Sequence, residues 1–379
     1  MFLQIHALTS YPASLLNRDD AGLAKRIPFG DTTRLRVSSQ CLKRHWREAL
    51  VDAVPQVPDG LRSTHFFTRE VLPRVIAGDV AEDLARSLTK ALADLVIKGG
   101  VEDDGRLKQP VLFGLREAEY FSSLVAQAAR EGAEAAGAIQ RLTERLKSRE
   151  EKKNIDAMKQ AAAGLTAALF GRMVTSDLLA RVDAPVHVAH AFTVHAGATE
   201  MDYFTVVDDL ARPEETGGAH LGQTELGAGV YYVYVVVDVP LLVSNLTGVE
   251  SRQWKTQDPD LARKVLAELV QIIARQSPGA KLGSTAPYAY ADLLLLEAGA
   301  AQPRTLGNAF LQAVPMRDGH ITRRAARDMG QYLQRIDTAY GRTSAHRALT
   351  STLDGVDFHD LSPTTLDAAV SGTLDALWS

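Results

Sequence analysis

Cations and hydrogen-bonding side chains crowd the first tenth of the chain in a pattern suited to holding phosphates. Between residues 18 and 47 stand Arg18, Lys25, Arg26, Arg34, Arg36, Lys43, Arg44 and Arg47, against Asp19, Asp20 and Asp31. Asn17, Ser38, Ser39 and Gln40 are interleaved with them and offer hydrogen bonds to sugars and phosphates. A polyanion neutralised by such a cluster gains free energy mainly through counterion release, so its binding is steeply salt dependent. Contacts of this kind set position without reading sequence. On the residues alone, the same stretch reads equally well as a solvated helix face with structural ion pairs to Asp19 and Asp20.

Catalytic chemistry finds less support. His187, His190 and His195 have near-metal-ligand spacing, but on a strand the first and third point to one face and His190 to the other. Packed or hydrogen-bonded histidines are the simpler reading. Adjacent Asp19 and Asp20 diverge in most backbones, and a metal-dependent nuclease would need a third ligand that the sequence does not identify. Gly227-Ala228-Gly229 precedes a strand and not a helix, so it is no dinucleotide loop. Ser38-Ser39 lacks the nucleophile-elbow glycines. Cys41, the single cysteine, reads as a small buried residue and excludes both an internal disulfide and a multi-thiolate metal site. We therefore expect no enzyme activity, no metal and no cofactor.

The elements that position the basic cluster follow from patterning. Residues 2–8 read as a strand, and the loop through Phe29-Gly30 delivers the cations. Arg34 and Arg36 alternate with Leu35 and Val37, the period of two that sets both arginines on one face. Ser38 or Ser39 suits the N-cap of a helix with the apolar stripe Leu42, Trp46, Ala49, Leu50 and Ala53, whose opposite face carries Lys43, Arg44 and Arg47. Pro55 and Pro58 end it. From 61 to 181 the pattern is helical throughout, with Val80, Leu84, Leu88, Leu92 and Leu95 as one stripe.

Strand character returns at 186–194 and 230–239. The polar, acidic, glycine-rich interval 196–228 between them is long for a connection in a sheet, and such connections usually carry function. A helix at about 259–275 and a strand at 288–296 follow. Without the helical insertion the order is βαββαβ, which predicts an α+β, ferredoxin-like fold of the RNA-recognition type. The expected domains are a palm (1–58 and 182–300) with the excursion 196–228 inside it, a helical insertion (59–181), and a C-terminal helical segment (301–379) packed on the palm. Helical stretches within that last segment are expected near 305–313 and 323–340.

Composition sets bounds on all of this. The chain has 379 residues, 46% of them hydrophobic, enough for two or three packed units. Lys and Arg total 42 against 46 for Asp and Glu, so any basic surface is local and balanced by acidic surface elsewhere. Glu200, Asp202, Asp208, Asp209, Glu214 and Glu215 supply part of that acidic surface. A subunit with opposite faces of this kind can stack head to tail. The N-terminal residues lack a secretion-signal pattern, and no stretch approaches the roughly 18 apolar residues that span a bilayer, so a cytoplasmic protein is expected.

The motifs LNRDD (16–20), Lys25 with Phe29-Gly30, RxRxSSQ (34–40) and LKR (42–44) occur in an order that resembles the CasC family. This family forms the RNA-coating backbone of type I-E CRISPR Cascade complexes. GRM (171–173), VAHAFTVH (188–195), DYF (202–204), AHLGQTE (219–225) and PGAK (278–281) extend the resemblance over most of the chain. It implies a hairpin thumb at 196–228, and RNA contacts by Asn17, Arg18, Asp20, Lys25, Arg34, Arg36, Ser38, Ser39, Gln40, Lys43 and Arg44.

The resemblance also implies aromatic stacking by Tyr203 and Phe204, an apolar wedge at Met173 beside a displaced nucleotide, and a contact by Lys281 to RNA or to a neighbouring copy. Stacking on an aromatic side chain contributes roughly 1–3 kcal/mol per base. Without the resemblance, Tyr203 and Phe204 would more simply anchor the hairpin, and Met173 would sit in a core. Arg141, Arg145, Lys147, Lys152 and Lys153 are the nearest match to the family's DNA-touching patch; by themselves they read as a solvated, ion-paired helix face. The implied partners are CRISPR RNA, target DNA, neighbouring copies and other Cascade subunits. A metal-dependent ribonuclease on the same module and a free-standing single-strand RNA binder are the alternatives.

Overall fold

Thirteen residues, Phe2–Ser14, form one long strand, β1, that runs well past the expected end at residue 8. The computed structural model describes residues 1–132, 134–158, 164–173, 179, 181–206, 220–317, 320–356, 358 and 361–379, with backbone only at 152, 155–158, 206, 220 and 221. After β1 come β2 (Arg26–Phe29), β3 (Thr32–Val37) and helix α1 (Ser39–Ala53). Next are β4 (Leu61–Ser63), α2 (Leu72–Ala77), α3 (Glu82–Val96), β5 (Val111–Phe113), α4 (Leu115–Glu131), α5 (Ala135–Lys147), α6 (Arg149–Met158) and α7 (Gly164–Phe170). Strands β6 (Val186–Val188), β7 (Ala191–Thr193), β8 (Ala198–Val206) and β9 (His220–Asp238) precede α8 (Val239–Thr247), α9 (Asp260–Arg275) and the single turn α10 (Leu282–Thr285). The chain closes with β10 (Leu293–Gly299), α11 (Ile321–Tyr340), β11 (His346–Ser351) and α12 (Leu366–Trp378).

The chain divides into two compact units. The first is Met1–Leu50, His187–Val237 and Arg263–Ser379; the second is Val51–Val186 and Asp238–Ala262. Residues 51–58, 182–186 and 238–262, expected in the palm, fall in the second unit, and 301–379 falls in the first.

The first unit is a mixed α/β structure around a sheet of order β11-β10-β1-β9-β7-β3-β2, with β6 and β8 also paired to β9. The pairs β1–β10, β10–β11, β2–β3, β3–β7, β7–β9 and β8–β9 are antiparallel. On one face Leu8, Tyr232, Leu293, Leu295 and Leu349 pack with Leu306, Phe310, Val314, Ala325, Met329 and Leu333. The segment from 306 and the buried stripe of α11 therefore cover that face. The C-terminal region differs from expectation: 305–313 holds only a 3₁₀ turn at Gly307–Phe310, and the loosely patterned tail contains the edge strand β11. The strand expected at 288–296 begins at Leu293.

One polar row crosses this face. Gln4 lies opposite Glu297 in the β1–β10 register, and Glu297 opposite Arg347 in β10–β11. Glu297 is fully buried and accepts from Arg304 Nη1 (2.5 Å) and Nη2 (2.9 Å), Arg347 Nε (2.8 Å) and Ser344 Oγ (3.1 Å). His6 Nε2 lies 3.2 Å away, and Arg347 also forks onto Asp337. Burial opposes ionisation of Glu297, but the hydrogen bonds and charges of its neighbours outweigh it and hold the carboxyl far below the usual range. Burial pushes the His6 pKa down and, with Arg304 and Arg347 acting the same way, outweighs Glu297, which acts to raise it, so the neutral ring is favoured.

The second unit is largely helical, with the small ribbon β4–β5 that the sequence pattern does not reveal. Its core stacks Phe66 on Phe113 (centroids 4.0 Å apart, 7° between planes), with Phe67 edge-on to Phe113. The expected stripe on α3 is present as Leu88 and Leu92 with Ala85 and Val96; Val80 precedes the helix and Leu84 and Leu95 are partly buried. The helix expected across 141–159 is broken at Ser148, whose Oγ accepts from Glu151 N (3.1 Å) and starts α6. Among the described residues, no helix is long and apolar enough to cross a membrane.

Protonation governs stability with a definite sign. Folded His6 and His195 have lowered pKa values, burial being the largest cause for both. The unfolded chain, with histidine near 6.5, therefore binds more protons below that pH, and stability rises with pH there. Urea unfolding is expected to show a lower midpoint at pH 5.5 than at 7.5, the unfolding free energy falling by at most about 1.4 kcal/mol per histidine per pH unit. A midpoint that stays level or rises on acidification would contradict the neutral buried imidazoles.

Candidate nucleic-acid interface

The start of α1 is built around two small polar side chains. Ser38 Oγ accepts from Cys41 N (3.2 Å) as the N-cap, and Asn17 Oδ1 accepts from Ser38 N (2.9 Å). Asn17 O accepts from Lys25 N (3.0 Å), and Lys25 O accepts from Arg36 N (2.8 Å). These bonds lace the 17–25 loop to the end of β3 and the first turn of the helix. Cations on all three pieces are thereby held together.

His190 marks the centre of the group. Its Nδ1 accepts from Ser39 N (3.0 Å) and lies 3.3 Å from Arg36 Nη1. Its pKa is lowered first by burial and then by the charges of Arg36, Lys25 and Lys43, so the ring is a neutral acceptor among cations. Burial raises the Cys41 thiol pKa, while Arg44 and Lys25 act in the opposite sense, which places those two charges beside it. Burial lowers the Lys43 pKa. Lys25, Arg36, Ser39 and Lys43 are half-buried, while Arg18, Asp20, Gln40 and Arg44 are exposed. Arg44 carries a solvent-exposed pair to Glu48 (3.0 Å). The positive end of the α1 dipole adds to the same potential. Asp20 has the wrong sign for a phosphate and suits only a ribose hydroxyl.

Two expected contacts are corrected. Arg34 differs from Arg36 in exposure: it is fully buried, and its guanidinium donates to Phe310 O (2.8 Å), Thr193 O (3.3 Å), Phe29 O (3.3 Å) and Asp31 Oδ1 (3.2 Å). It ties the β2–β3 turn to the core with four of its five N–H groups engaged, and its burial takes it out of the surface cluster. Ser38 is buried, and its hydroxyl serves as the helix cap. Asp19 accepts from Ala21 N and Leu23 N (3.0 and 2.9 Å), so it folds its own loop.

Beside the cluster rises a two-stranded hairpin, in register from Ala198↔Ala228 to Val206↔His220. Residues 207–219, with Asp208, Asp209, Glu214 and Glu215, lie outside the described residues. The base is clamped to the cation loop: buried Glu225 accepts from Ala24 N (2.7 Å) and from Arg26, which also donates to Thr199 Oγ1 (3.2 Å). Burial works against ionisation of Glu225, but Arg26 and the Ala24 amide more than compensate and lower its pKa.

Tyr203 and Phe204 project to opposite faces of β8. Phe204 lies over Gly222, where an added Cβ would come within 2.3 Å of its ring, and Lys281 Nζ sits 5.6 Å from the ring centroid. Lys281 also donates to Thr224 Oγ1 (2.6 Å), so it steadies this hairpin from the loop whose Ala280 N bonds Leu15 O. Phe204 thus braces the hairpin while remaining 40% exposed, and Tyr203 is 66% exposed.

The remaining candidates lie in the second unit. Met173 is 91% exposed and not a core residue. Arg145 is half-buried and pairs with Glu151 (3.3 Å) and Glu131 (3.8 Å). Arg141, Lys147 and Lys153 are exposed; the side chain of Lys152 lies outside the described residues. His195 is buried: its Nδ1 donates to Ala196 O (2.7 Å) and its Nε2 accepts from Val230 N (3.1 Å). No group of three or more His, Cys, Asp or Glu placed to hold a metal occurs among the described residues. Sequence reasoning missed His190 as a scaffold and the Arg26–Glu225 clamp, whose partners are far apart in the chain; Glu225 in the AHLGQTE motif was the only signal.

The fold is that of a mixed α/β chain with an antiparallel sheet, a two-stranded hairpin and an inserted helical unit. Such chains occur in solved CRISPR assemblies. One, from a structure described as "CRISPR RNA-guided surveillance complex, pre-nicking", superposes with a TM-score of 0.79 at 23% identity over 100% of both chains. Another, from a "CRISPR RNA-guided surveillance complex", gives 0.60 at 22% identity over 99% of both. The Cas family model described as CT1975-like protein matches residues 3–379, and the chain belongs to that family. A search of curated proteins found no match.

The clamp can be tested directly. Glu225→Ala leaves the Ala24 amide, now bonded to a buried carboxylate, without its acceptor, a loss of about 1–3 kcal/mol. Amide exchange at residues 24–26 and along 198–206 and 220–228 is expected to accelerate with the rest of the sheet unchanged. Unaltered exchange would show that the clamp does not hold the hairpin.

Proposed function

We propose that this protein is a CasC-like backbone subunit of a type I-E Cascade surveillance complex that binds CRISPR RNA and performs no chemistry. The observation that carries the reading is the convergence of Lys25, Arg36 and Lys43 on a neutral His190 at the N-terminus of α1, next to the clamped base of the hairpin. Phosphates follow this edge, with Arg18, Gln40, Ser39 and Arg44 flanking it. The strand order β10-β1-β9 followed by β7, with α1 and α9 as the connecting helices, supports the ferredoxin-like palm. Because residues 306–340 cover one sheet face, RNA is held along an edge and not across an open sheet.

In this reading copies stack along one guide in the cytoplasm, each hairpin thumb interrupting the strand. Tyr203 stacks on a base, Met173 wedges beside a displaced nucleotide, and the intervening bases pair with target DNA. Arg141, Lys147 and Lys153 give that DNA weak, sequence-independent contacts. Specificity then lies in base pairing, while the protein reads backbone and shape. Family membership and the fold shared with chains of RNA-guided complexes support this assignment.

A salt series with labelled repeat-derived RNA tests it. Replacing Lys25, Arg36 and Lys43 together by Ala is expected to flatten the slope of log K against log salt by about 2, near 0.7 for each phosphate of a single strand that is no longer neutralised. An unchanged slope would remove these residues from the phosphate path. The RNA is expected to stay intact with Mg²⁺ or Mn²⁺; metal-dependent fragments would favour the ribonuclease reading. Tyr203→Ala is expected to cost roughly 1–3 kcal/mol in the cooperative growth of multi-copy complexes while single-copy affinity changes less. Growth equal to that of the unsubstituted protein would leave Tyr203 without a stacking role.

A further inference from the structure

A groove of about 500 Å³ lies between α11 and the turn after β11. Arg323, Arg327, Gln331 and Gln334 line it from the helix, Asp354 lines it from the turn, and Gly330 adds no side chain between them. The groove and the cation cluster at α1 belong to opposite ends of the sheet order, since β11 is one edge and β3 with β2 the other. Positions 323, 327, 331 and 334 follow the four- and three-residue steps that share one helix face, so two guanidinium groups and two amides stand in a row.

Neither guanidinium is used up within the chain. Among the described residues, Arg323 approaches Asp354 (3.5 Å), and Arg327 reaches its sequence neighbour Asp328 (3.4 Å). All four of these side chains are partly or well exposed, where such pairs hold weakly. A guanidinium carries five N–H groups, so most of both forks stay available to a ligand. Arg324 differs, being turned to Pro315 O (3.3 Å) and Arg317 O (2.9 Å).

Planar guanidinium forks match carboxylates and phosphates alike, and the rest of the lining decides between them. Gln331 and Gln334 add acceptors to their donors, which the N–H groups of a peptide satisfy and a phosphate does not. Asp354 repels a continuous phosphate backbone, and no aromatic side chain is present among the described lining residues to stack a base. Arg323 and Arg327 are separated by about 6 Å along the helix axis. Alternate side chains of an extended peptide are spaced by roughly 6.6 Å, close to that step.

We propose that this groove docks an extended acidic segment of a partner protein, whose carboxylates at alternate positions meet Arg323 and Arg327 and whose backbone meets Gln331 and Gln334. The surface shares no residue with the phosphate path assigned to Lys25, Arg36 and Lys43 and does not depend on it.

Fluorescence anisotropy on the full-length protein tests this, with a labelled octapeptide of alternating glutamate and serine as one probe and an oligothymidylate of the same net charge as the other. Arg323→Ala with Arg327→Ala, both on exposed side chains, is expected to weaken peptide binding about tenfold, as for loss of one charge-assisted hydrogen bond, and to leave the oligothymidylate unaffected. Replacing Lys25, Arg36 and Lys43 together by Ala is expected to leave the peptide's affinity unchanged, while its effect on the oligothymidylate reports separately on the cluster at α1. No peptide binding by the unsubstituted protein, undiminished binding by the arginine variant, or an equal loss in the two variants would overturn the proposal. A loss of oligothymidylate binding in the arginine variant as large as that of the peptide would also overturn it and assign the groove to nucleic acid.

Discussion

A carboxylate that stays ionised with no exposure to water constrains everything built around it. Glu297 sits mid-sheet in β10, and a lone charge there would be prohibitive. Arg304 and Arg347 answer it from two separate places in the chain, Ser344 adds a hydroxyl, and His6 completes the shell as a neutral ring. Arg304 N also donates to Gln4, and Tyr232 accepts from Leu306 N, so the segment beyond β10 is stitched back over β1 and β9. Once that segment is fixed, Leu306, Phe310 and the buried side of α11 have only one surface to cover. The network's net stabilisation over an apolar replacement is small by general experience, but its directional bonds select one packing of the C-terminal third.

With the C-terminal segment over one sheet face, the cations gather at the end of β3 and the start of α1. There the fold spends its small residues on geometry and its long ones on charge. Ser38, Asn17 and His190 satisfy the first turn of α1, and Arg34 locks the β2–β3 turn from inside. Lys25, Arg36, Lys43 and Arg44 are thereby held on a common surface although the whole chain has a net charge of −4. Arg26 differs from its neighbours because Glu225 neutralises it, and that pair carries the hairpin.

Local chemistry was legible where it is local. The cap at Ser38, the stripe Leu42, Trp46 and Leu50, the strand-forming run 230–237 and helix α9 all follow from spacing alone. Arg34 was misread because alternation reports which face a residue takes and not whether that face meets water; Phe310 O and Thr193 O, which bury it, are remote in sequence. The ribbon β4–β5 was hidden because its strands are three residues each, too short for alternation to show, and Phe113 is held by an aromatic stack with Phe66 that lies outside both strands' own pattern. Ser148 breaks a run of charged helix formers through one hydroxyl-to-amide bond, which periodicity does not weigh. For Phe204 and Tyr203, adjacency in sequence concealed different surroundings, since a strand sends neighbours to opposite faces and Lys281 and Gly222 meet only one of them.

The cluster at α1 is also the place where the fold works against itself. Three cations face one imidazole that remains neutral, and Lys43 is partly desolvated as well, so each of these charges raises the free energy of the others. The hydrogen bonds of Asn17, Ser38 and His190 hold these charges in place, while Asp19 is turned to its own loop amides.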